Sequence, residues 1–258
     1  MTVIGQQTVT GSARWFGRAR RRPDGVCTLF CLPYAGGGAS MYYGWQRLFG
    51  PRVEVAPIHL PGREERDGEP FSHSADAIAA AVADRADRPY AIYGHSMGAR
   101  LGFEVIRVLR RHGARLPFRF YPAACLPPDV AWPLSGCIDL PDDDFLNVLV
   151  RRFNAPAEAW AIPELRELLL PVLRADFAWT SRYEHQAEPP LAVPLVGLAG
   201  SDDAEAGPSP MLGWSRHTCE SFRLHTMPGN HFFLRSAAAE VTSLLSTDML
   251  QALGEGTR

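Results

Sequence analysis

The pentapeptide Gly94-His95-Ser96-Met97-Gly98 matches the pattern Gly-x-Ser-x-Gly. It follows a short apolar run at residues 90–93 that is typical of a strand, and it precedes a helix-favouring segment at residues 98–111. A sharp strand-to-helix turn requires glycines, because larger side chains would collide there, and it lifts the serine oxygen above the sheet. This placement predicts that Ser96 is a nucleophile.

A serine hydroxyl has to lose its proton to attack, so a base must lie further along the chain. On a fold with this turn, the chain order is serine, then aspartate or glutamate, then histidine. His231 lies on the loop just after the last strand candidate, and we predict that it is the base. The competitors are His217, in a predicted helix, and His225, inside a predicted strand. Both positions are more typical of structural histidines.

Three carboxylates are candidates for the acid that orients His231. Asp202 and Asp203 follow a strand candidate at residues 194–198, and Asp129 follows the preceding one. The acid would hold the correct imidazole tautomer and stabilise the imidazolium that forms during attack. The residue pattern by itself leaves the choice among the three open.

Two backbone N–H groups should stabilise the oxyanion. One belongs to Met97, the residue after the nucleophile, and the other to the loop at residues 33–38. That loop contains Gly36, Gly37 and Gly38, which let the backbone approach a substrate closely. It lacks the Lys-Ser/Thr of a phosphate-binding loop and the Gly-x-Gly-x-x-Gly spacing, so a nucleotide site is not predicted.

The elements that must position these residues alternate between strand and helix patterns. The strand candidates are residues 26–32, 53–60, 90–93, 118–123, 194–198 and 221–227. Helices are predicted at residues 75–85, with Ser74 as the N-cap, at 98–111 and at 237–253. This alternation predicts an α/β fold in which a mostly parallel sheet is covered by helices on both faces.

One helical stretch, residues 141–183, is longer than an ordinary crossover between strands. We expect a single domain over residues 1–258, with a core at 14–140 and 186–253 and a helical lid inserted at 141–185. A packing layer without a gating role is the alternative. The apolar residues expected to form the chamber wall are Phe145, Leu149, Leu169, Val172 and Phe177.

Composition excludes several classes of protein. The 258 residues are 46% hydrophobic and 21% charged, and 26 basic against 28 acidic residues give a net charge of -2. Neither a strongly basic nucleic-acid binder nor a disordered chain fits these values. No apolar run approaches the ~18 residues of a membrane span, and no export signal is visible, so a cytoplasmic location is expected.

Five irregularly spaced cysteines and the absence of paired histidine ligands predict no disulfide scaffold and no metal site. Cys27 and Cys31 are expected to be buried on one face. The basic run at residues 18–22 is expected to be a solvated surface, or a landing site for an acidic partner.

Five motifs, in order, resemble type II thioesterases, the stand-alone α/β-hydrolases that accompany polyketide synthases and nonribosomal peptide synthetases. The resemblance covers residues 15–245, and its motifs are Leu32-Pro33-Tyr34-Ala35-Gly36-Gly37, Leu60-Pro61-Gly62-Arg63-Glu64-Glu65-Arg66, Tyr93-Gly94-His95-Ser96-Met97-Gly98-Ala99, Leu170-Pro171-Val172-Leu173-Arg174-Ala175-Asp176 and Pro228-Gly229-Asn230-His231-Phe232-Phe233.

The resemblance implies a function and assigns residues to it. The substrates would be acyl thioesters on the phosphopantetheine arm of acyl or peptidyl carrier proteins, from which stalled or wrong acyl groups are removed. The triad would be Ser96, Asp203 and His231, and the loop's oxyanion donor would be Tyr34 or Ala35. No cofactor is implied, because the pantetheine arrives with the substrate, and a monomer is expected.

Some residues depart from the family pattern, and two other functions remain as alternatives. Arg100 replaces a more usual apolar residue, Ala204 replaces a common proline, and residues 121–129 lack a Ser-Gly-Arg-like stretch. These departures affect the substrate entrance rather than the chemistry. Arg63 is expected to form a structural ion pair. The alternatives are a carboxylesterase or lipase acting on oxygen esters, and a catalytically silent docking partner.

Overall fold

The structure is a computed structural model that describes residues 11, 13–17, 21–153 and 161–254. Its described strands form one six-stranded sheet in the order β2-β1-β3-β4-β5-β6, and all neighbouring strands are parallel. In chain order the strands β1 to β6 are Cys27–Leu32, Val53–Pro57, Tyr90–His95, Arg119–Ala123, Leu195–Gly200 and Phe222–Met227. The predicted sheet is confirmed, with every described pairing parallel.

Strand β1 shows why a continuous apolar run forms a central strand. All six of its residues are buried, because both faces of the sheet are covered. Cys27, Leu29 and Cys31 pack into the core on one face, and Phe30 and Leu32 into the core on the other. The predicted same-face burial of Cys27 and Cys31 is confirmed.

Helices cover the two faces of the sheet. Helices α2 (Ala75–Arg85) and α3 (Met97–Arg111) pack on one face, and α1 (Trp45–Phe49) and α8 (Ala238–Ala252) on the other. The Ser74 hydroxyl caps α2 by accepting a hydrogen bond from the Ala77 N–H at 3.1 Å, as predicted. Two single-turn helices are α6 (Pro208–Met211) and α7 (Phe233–Ser236).

Between β4 and β5 lie helices α4 (Asp142–Phe153) and α5 (Pro163–Arg182), within the predicted helical stretch. They share an apolar cluster of their own, which is separate from the two cores beside the sheet. Its buried members are Cys137, Phe145, Leu146, Leu149, Phe153, Leu173 and Phe177. Residues 154–160, inside the predicted lid, lie outside the described residues, as do residues 18–20 of the basic run.

The end of β2 differs from the prediction. The apolar run at residues 53–60 predicts a strand to Leu60, but β2 ends at Pro57. The Ile58 N–H donates to the Cys31 carbonyl of β1, whereas the His59 N–H donates to the Trp15 carbonyl, which lies outside the sheet. Ile58 and Leu60 are nevertheless buried. Hydrophobicity therefore predicts burial here, while the hydrogen-bond partners decide where the strand ends.

Candidate active site

Ser96 lies at the turn from β3 into α3, with φ 54° and ψ −118°. Residues other than glycine rarely adopt such a positive φ, and they cluster at functional sites where they do. A Cβ on Gly94 would lie 2.2 Å from the Gly98 carbonyl oxygen, and one on Gly98 would lie 2.3 Å from that of Leu32. Both contacts are with backbone, so both positions require glycine.

His231 and Asp203 lie on the loops after β6 and β5, and the His231 Nδ1 donates to the Asp203 Oδ2 at 2.8 Å. The other oxygen of Asp203 accepts from the N–H groups of Glu205 and Ala206 at 2.9 and 3.1 Å. Burial raises the pKa of Asp203, but these donors outweigh it and hold the pKa below its usual value. The ionised Asp203 keeps the proton on Nδ1, which leaves Nε2 as the basic nitrogen.

The other candidates for acid and base lie elsewhere. The Asp129 carboxylate accepts from His217 at 2.8 Å and from Arg216 at 2.6 Å. Burial raises the pKa of Asp129, but Arg216 and His217 outweigh it and lower the pKa to about 2. Asp202 is exposed, and His225 is half-buried in β6. Of the carboxylates left open by the residue pattern, Asp203 is the one bonded to His231.

Ser96, Met97 and His231 line a cavity of about 290 Å³ between the sheet edge and helices α4 and α5. Its wall is largely apolar, and three of the residues predicted to form it do so. The lining side chains include Leu149, Leu169, Phe177, Trp132, Phe153, Leu173 and Phe232.

The predicted positions of Phe145 and Val172 are wrong. Phe145 is 0% exposed and packs inside the α4–α5 cluster, where its ring meets that of Phe177 edge-on at 5.3 Å. Val172 lines a neighbouring groove instead of the chamber. An apolar residue of an inserted helix can face its partner helix as readily as a substrate, and helical periodicity does not separate these two cases.

His95 is a feature of the site that sequence reasoning missed. Its Nε2 lies 2.7 Å from the His231 carbonyl, which can only accept, so Nε2 carries the proton and Nδ1 accepts from the Tyr93 hydroxyl at 3.0 Å. Burial and the neighbouring His231 lower the pKa of His95 to about 3, so the ring is neutral. His95 thereby holds the backbone of the base. The signal was its position, since the residue before the nucleophile ends a buried strand.

In the loop after β1, two N–H groups donate hydrogen bonds to other groups of the protein. The Gly36 N–H donates to the Asp176 carboxylate at 2.7 Å, and the Gly37 N–H donates to the Tyr34 carbonyl at 2.9 Å. Within this loop, the described contacts leave the N–H groups of Tyr34, Ala35 and Gly38 without an acceptor. Gly38 lines the neighbouring groove rather than the chamber, so Tyr34 and Ala35 are the candidate donors to an oxyanion. Both residues line the cavity with Ser96, in agreement with the predicted placement.

A buried ion pair ties that loop to helix α5. Arg63 donates to both oxygens of Asp176 at 2.6 Å and to the Gly37 carbonyl at 3.0 Å, and His73 Nε2 lies 2.6 Å from the same carboxylate. Burial raises the pKa of the fully buried Asp176, but Arg63 and His73 outweigh it and lower the pKa. The ion pair expected for Arg63 is confirmed, and its partner lies on the inserted helix next to the oxyanion loop.

A second cavity, a groove of about 630 Å³, adjoins the chamber. The residues that line both spaces are Tyr34, Gly36, Leu169 and Arg235, so the groove meets the chamber at the oxyanion loop.

Across the residues that the structure describes, no group of three or more His, Cys, Asp or Glu side chains could hold a metal ion. No helix in the described parts of the chain is long and apolar enough to cross a membrane.

The family model of the thioesterase domain matches residues 27–249. The chain belongs to the thioesterase family. It is 33% identical over 250 residues to "Thioesterase PikA5" of Streptomyces venezuelae, a match that covers 94% of this chain and 88% of that protein. RedJ, a thioesterase from the prodiginine pathway of Streptomyces coelicolor, is 34% identical with a TM-score of 0.80, covering 90% and 94% of the two chains.

YbtT, a type II thioesterase from the yersiniabactin NRPS/PKS pathway, is 27% identical with a TM-score of 0.77, covering 90% of this thioesterase and 96% of YbtT. The predicted α/β-hydrolase fold and the predicted resemblance are therefore confirmed. This thioesterase is a serine hydrolase of acyl thioesters. Its family membership favours that activity over the oxygen-ester and catalytically silent alternatives.

Proposed function

We propose that this thioesterase hydrolyses acyl groups from the phosphopantetheine arm of acyl or peptidyl carrier proteins, and so clears stalled or aberrant acyl groups from a synthase. The observation that carries the proposal is the buried Asp203–His231 pair beside Ser96, in an apolar chamber that joins an open groove. The relatives from synthase pathways support it.

In the first half of the reaction, the His231 Nε2 takes the proton of Ser96 as Oγ attacks the thioester carbonyl. Asp203 stabilises the imidazolium that forms. The N–H groups of Met97 and of Tyr34 or Ala35 hold the oxyanion, where preorganised donors stabilise the developing charge. His231 then protonates the departing pantetheine thiolate, which leaves the acyl group as an ester on Ser96.

In the second half, a water molecule loses its proton to His231 and attacks the acyl-serine ester. The same donors hold the second oxyanion, and His231 returns the proton to Ser96 as the free acid departs. Each role is carried by residues of this chain. That no cofactor is required, and that the enzyme acts as a monomer in the cytoplasm, remain predictions.

The groove is the route by which the carrier's arm reaches Ser96. Arg235 is exposed where the groove meets the chamber, and among the described residues it has no carboxylate within 4 Å. Its guanidinium is suited to the phosphodiester of the arm. Glu64 and Asp67 also line the groove, and the Glu64 carboxylate is occupied by the Ser40 N–H at 3.2 Å.

The decisive experiment compares one acyl group on three donors: a carrier protein, pantetheine without phosphate, and an oxygen ester of matched shape. Mass spectrometry follows the released acid. We expect the carrier thioester to react fastest and the oxygen ester slowest. Faster hydrolysis of the oxygen ester would overturn the proposal.

A matched pair of variants tests the route. Arg235→Gln should raise KM for the carrier substrate by about fivefold to tenfold and leave kcat and the KM for dephosphorylated acyl-pantetheine unchanged, because it removes one exposed phosphate contact. Arg223→Gln, an exposed arginine of β6 outside the groove, is the control. Equal effects of Arg235→Gln on both substrates would exclude phosphate recognition by this residue.

A further inference from the structure

Arg100 lies one helical turn after Ser96 on α3, and it is 3% exposed. Its N–H lies 3.4 Å from the Ser96 carbonyl, so the two residues share one face of the helix. Side chains of helices lean toward the N-terminus, which for Arg100 is the end that carries the nucleophile. A permanently charged guanidinium is therefore buried on the helix that carries the reacting serine, and both residues line one side cavity.

This charge is incompletely partnered. One Arg100 nitrogen donates to the Val130 carbonyl at 3.3 Å, and the guanidinium lies over the Tyr183 ring at 4.8 Å. Its Nε has no hydrogen-bond partner, which is also true of the Nε of Arg63 and of Arg107, so what distinguishes Arg100 is the lack of a carboxylate. Among the described residues, no carboxylate oxygen lies within 4 Å of it.

The other buried arginines provide the contrast. Each has a carboxylate within hydrogen-bond distance: Asp176 for Arg63, Glu69 for Arg66, and Glu104 for Arg107. Burial of a charge is unfavourable unless the charge is paired and hydrogen-bonded. Unlike these three arginines, Arg100 has no carboxylate within 4 Å among the described residues. We therefore expect its partner to come from outside the described residues.

The space for that partner is a side cavity of about 40 Å³. Arg100, Cys125 and Thr180 line it, and so do Ser96 and His231, which also line the large chamber. Its volume holds a small polar group such as a carboxylate, but not an acyl chain. Glu205 lines it as well, and the Glu205 carboxylate is bound by Arg152 at 2.6 Å.

We propose that Arg100 binds a carboxylate of the acyl group itself, so that the preferred substrates include monothioesters of small dicarboxylic acids such as malonyl thioesters. The guanidinium fork matches the two oxygens of a carboxylate. With the thioester carbonyl at Ser96, a carboxylate one carbon further along enters the side cavity, while uncharged chains extend into the apolar chamber. This inference deepens the proposed function and rests on thioester hydrolysis at Ser96.

The test uses malonyl and 3-methylbutyryl groups on the same carrier protein, because the second is an uncharged isostere of the first. In the unmodified enzyme, malonyl release should have the higher kcat/KM. Arg100→Leu should lower kcat/KM for malonyl by about 10- to 100-fold and leave the value for 3-methylbutyryl within about threefold. Arg100→Lys, which keeps the charge, should give an intermediate loss. Arg107→Leu, which removes a buried arginine of α3 that is paired with a carboxylate, should leave the ratio of the two substrates unchanged.

Two results would overturn the inference: an unmodified enzyme that prefers 3-methylbutyryl tenfold or more, or a folded Arg100→Leu variant that loses both activities equally. The first needs no variant, so a failure of Arg100→Leu to fold leaves the inference testable. Titration calorimetry on the Ser96→Ala background separates this inference from the proposed function. On that background, Arg100→Leu should weaken binding of the malonyl-carrier protein by about 10- to 100-fold, even if the enzyme hydrolyses neither thioester. Unchanged binding would refute the role of Arg100.

Discussion

The Asp203–His231 and Asp129–His217 pairs have the same local chemistry in different surroundings. In both, a ring nitrogen lies 2.8 Å from a carboxylate oxygen. The side chain of Asp203 is 1% exposed and holds Nδ1, whereas that of Asp129 is 32% exposed and holds Nε2. His231 lines the chamber with Ser96, while the ring of His217 packs against the rings of Phe103 and Trp214.

This difference shows that a histidine–carboxylate bond does not by itself make a base. The ring nitrogen that remains has to face a group whose proton it can take, in a space that a substrate can enter. The loop after β6 meets this condition because the carboxyl ends of parallel strands converge at one edge of the sheet. Asp129 and His217 instead join the loop after β4 to the segment before β6, which is a structural role.

The largest effect should come from Ser96→Ala. Turnover of a carrier-bound acyl thioester should fall at least about 10⁴-fold, because no other group supplies the covalent step. The fold should persist, since alanine fits the same turn, and circular dichroism checks this. Turnover above a few per cent would place the nucleophile elsewhere and remove the functional distinction between the two pairs.

Replacing each acid by its amide tests the comparison directly. Asp203→Asn should lower kcat by about 10⁴-fold, because the amide favours the wrong tautomer of His231; this is the loss that the same change causes in a serine protease. Asp129→Asn, the matched control, should change kcat by less than about threefold. Single-turnover acylation rates measure both. A larger loss in Asp129→Asn would reverse the assignment of the two pairs.

Asp176→Asn tests a third carboxylate that contacts a histidine. We expect kcat to fall by about 10- to 100-fold with little change in KM, because the loop that carries Tyr34 and Ala35 loses an anchor at Gly36. Leaving Arg63 unpaired should also destabilise the fold by about 3–5 kcal/mol. Kinetics well below the melting temperature separate the two effects. An unchanged kcat would show that the ion pair stabilises the fold without positioning the oxyanion donors.

The preferred acyl chain length should depend on the side chains that line the chamber beside His231. It should not depend on side chains that pack behind them. Phe177→Leu should shift the preferred acyl chain length by a few-fold, since one methylene in an apolar pocket contributes about 1–3 kcal/mol. Phe145→Leu should lower stability by about 1–2 kcal/mol and leave that preference unchanged. A survey of acyl-carrier substrates of increasing length, with thermal melts, measures both variants. A changed preference in Phe145→Leu alone would contradict the structure.

The smallest effect concerns the stability that Asp129 contributes. Its pKa is depressed to about 2 in the folded protein, so the ionised form is favoured and stabilises the fold above the unfolded pKa of about 4. That contribution, about 1 kcal/mol after solvent screening, should disappear as pH falls from about 4 to about 2. Denaturant unfolding of the protein and of Asp129→Asn at several pH values measures it. A difference between the two that does not vary with pH would exclude the ionic origin.

The helical insertion between β4 and β5, which we predict to be a lid, shows where prediction from the sequence stops. Its helical stretch was recognisable because it exceeds a normal crossover, and Leu149, Leu169 and Phe177 do line the chamber. Phe145 and Val172 carry the same apolar signal, yet they face other surfaces. Periodicity identifies one side of a helix, and two helices that pack on each other divide that side between their shared core and the substrate.

The amino-acid sequence by itself determined the alternation of strands and helices, the turn at Ser96 and the position of His231 after the last strand, because short-range sterics and apolar periodicity act along the chain. Only the tertiary structure decided which aspartate His231 bonds, that Asp176 anchors the oxyanion loop, and that Arg100 lacks a carboxylate among the described residues. Those facts depend on side chains brought together from distant parts of the chain, where burial and the supply of hydrogen-bond partners, rather than local sequence, set the energy.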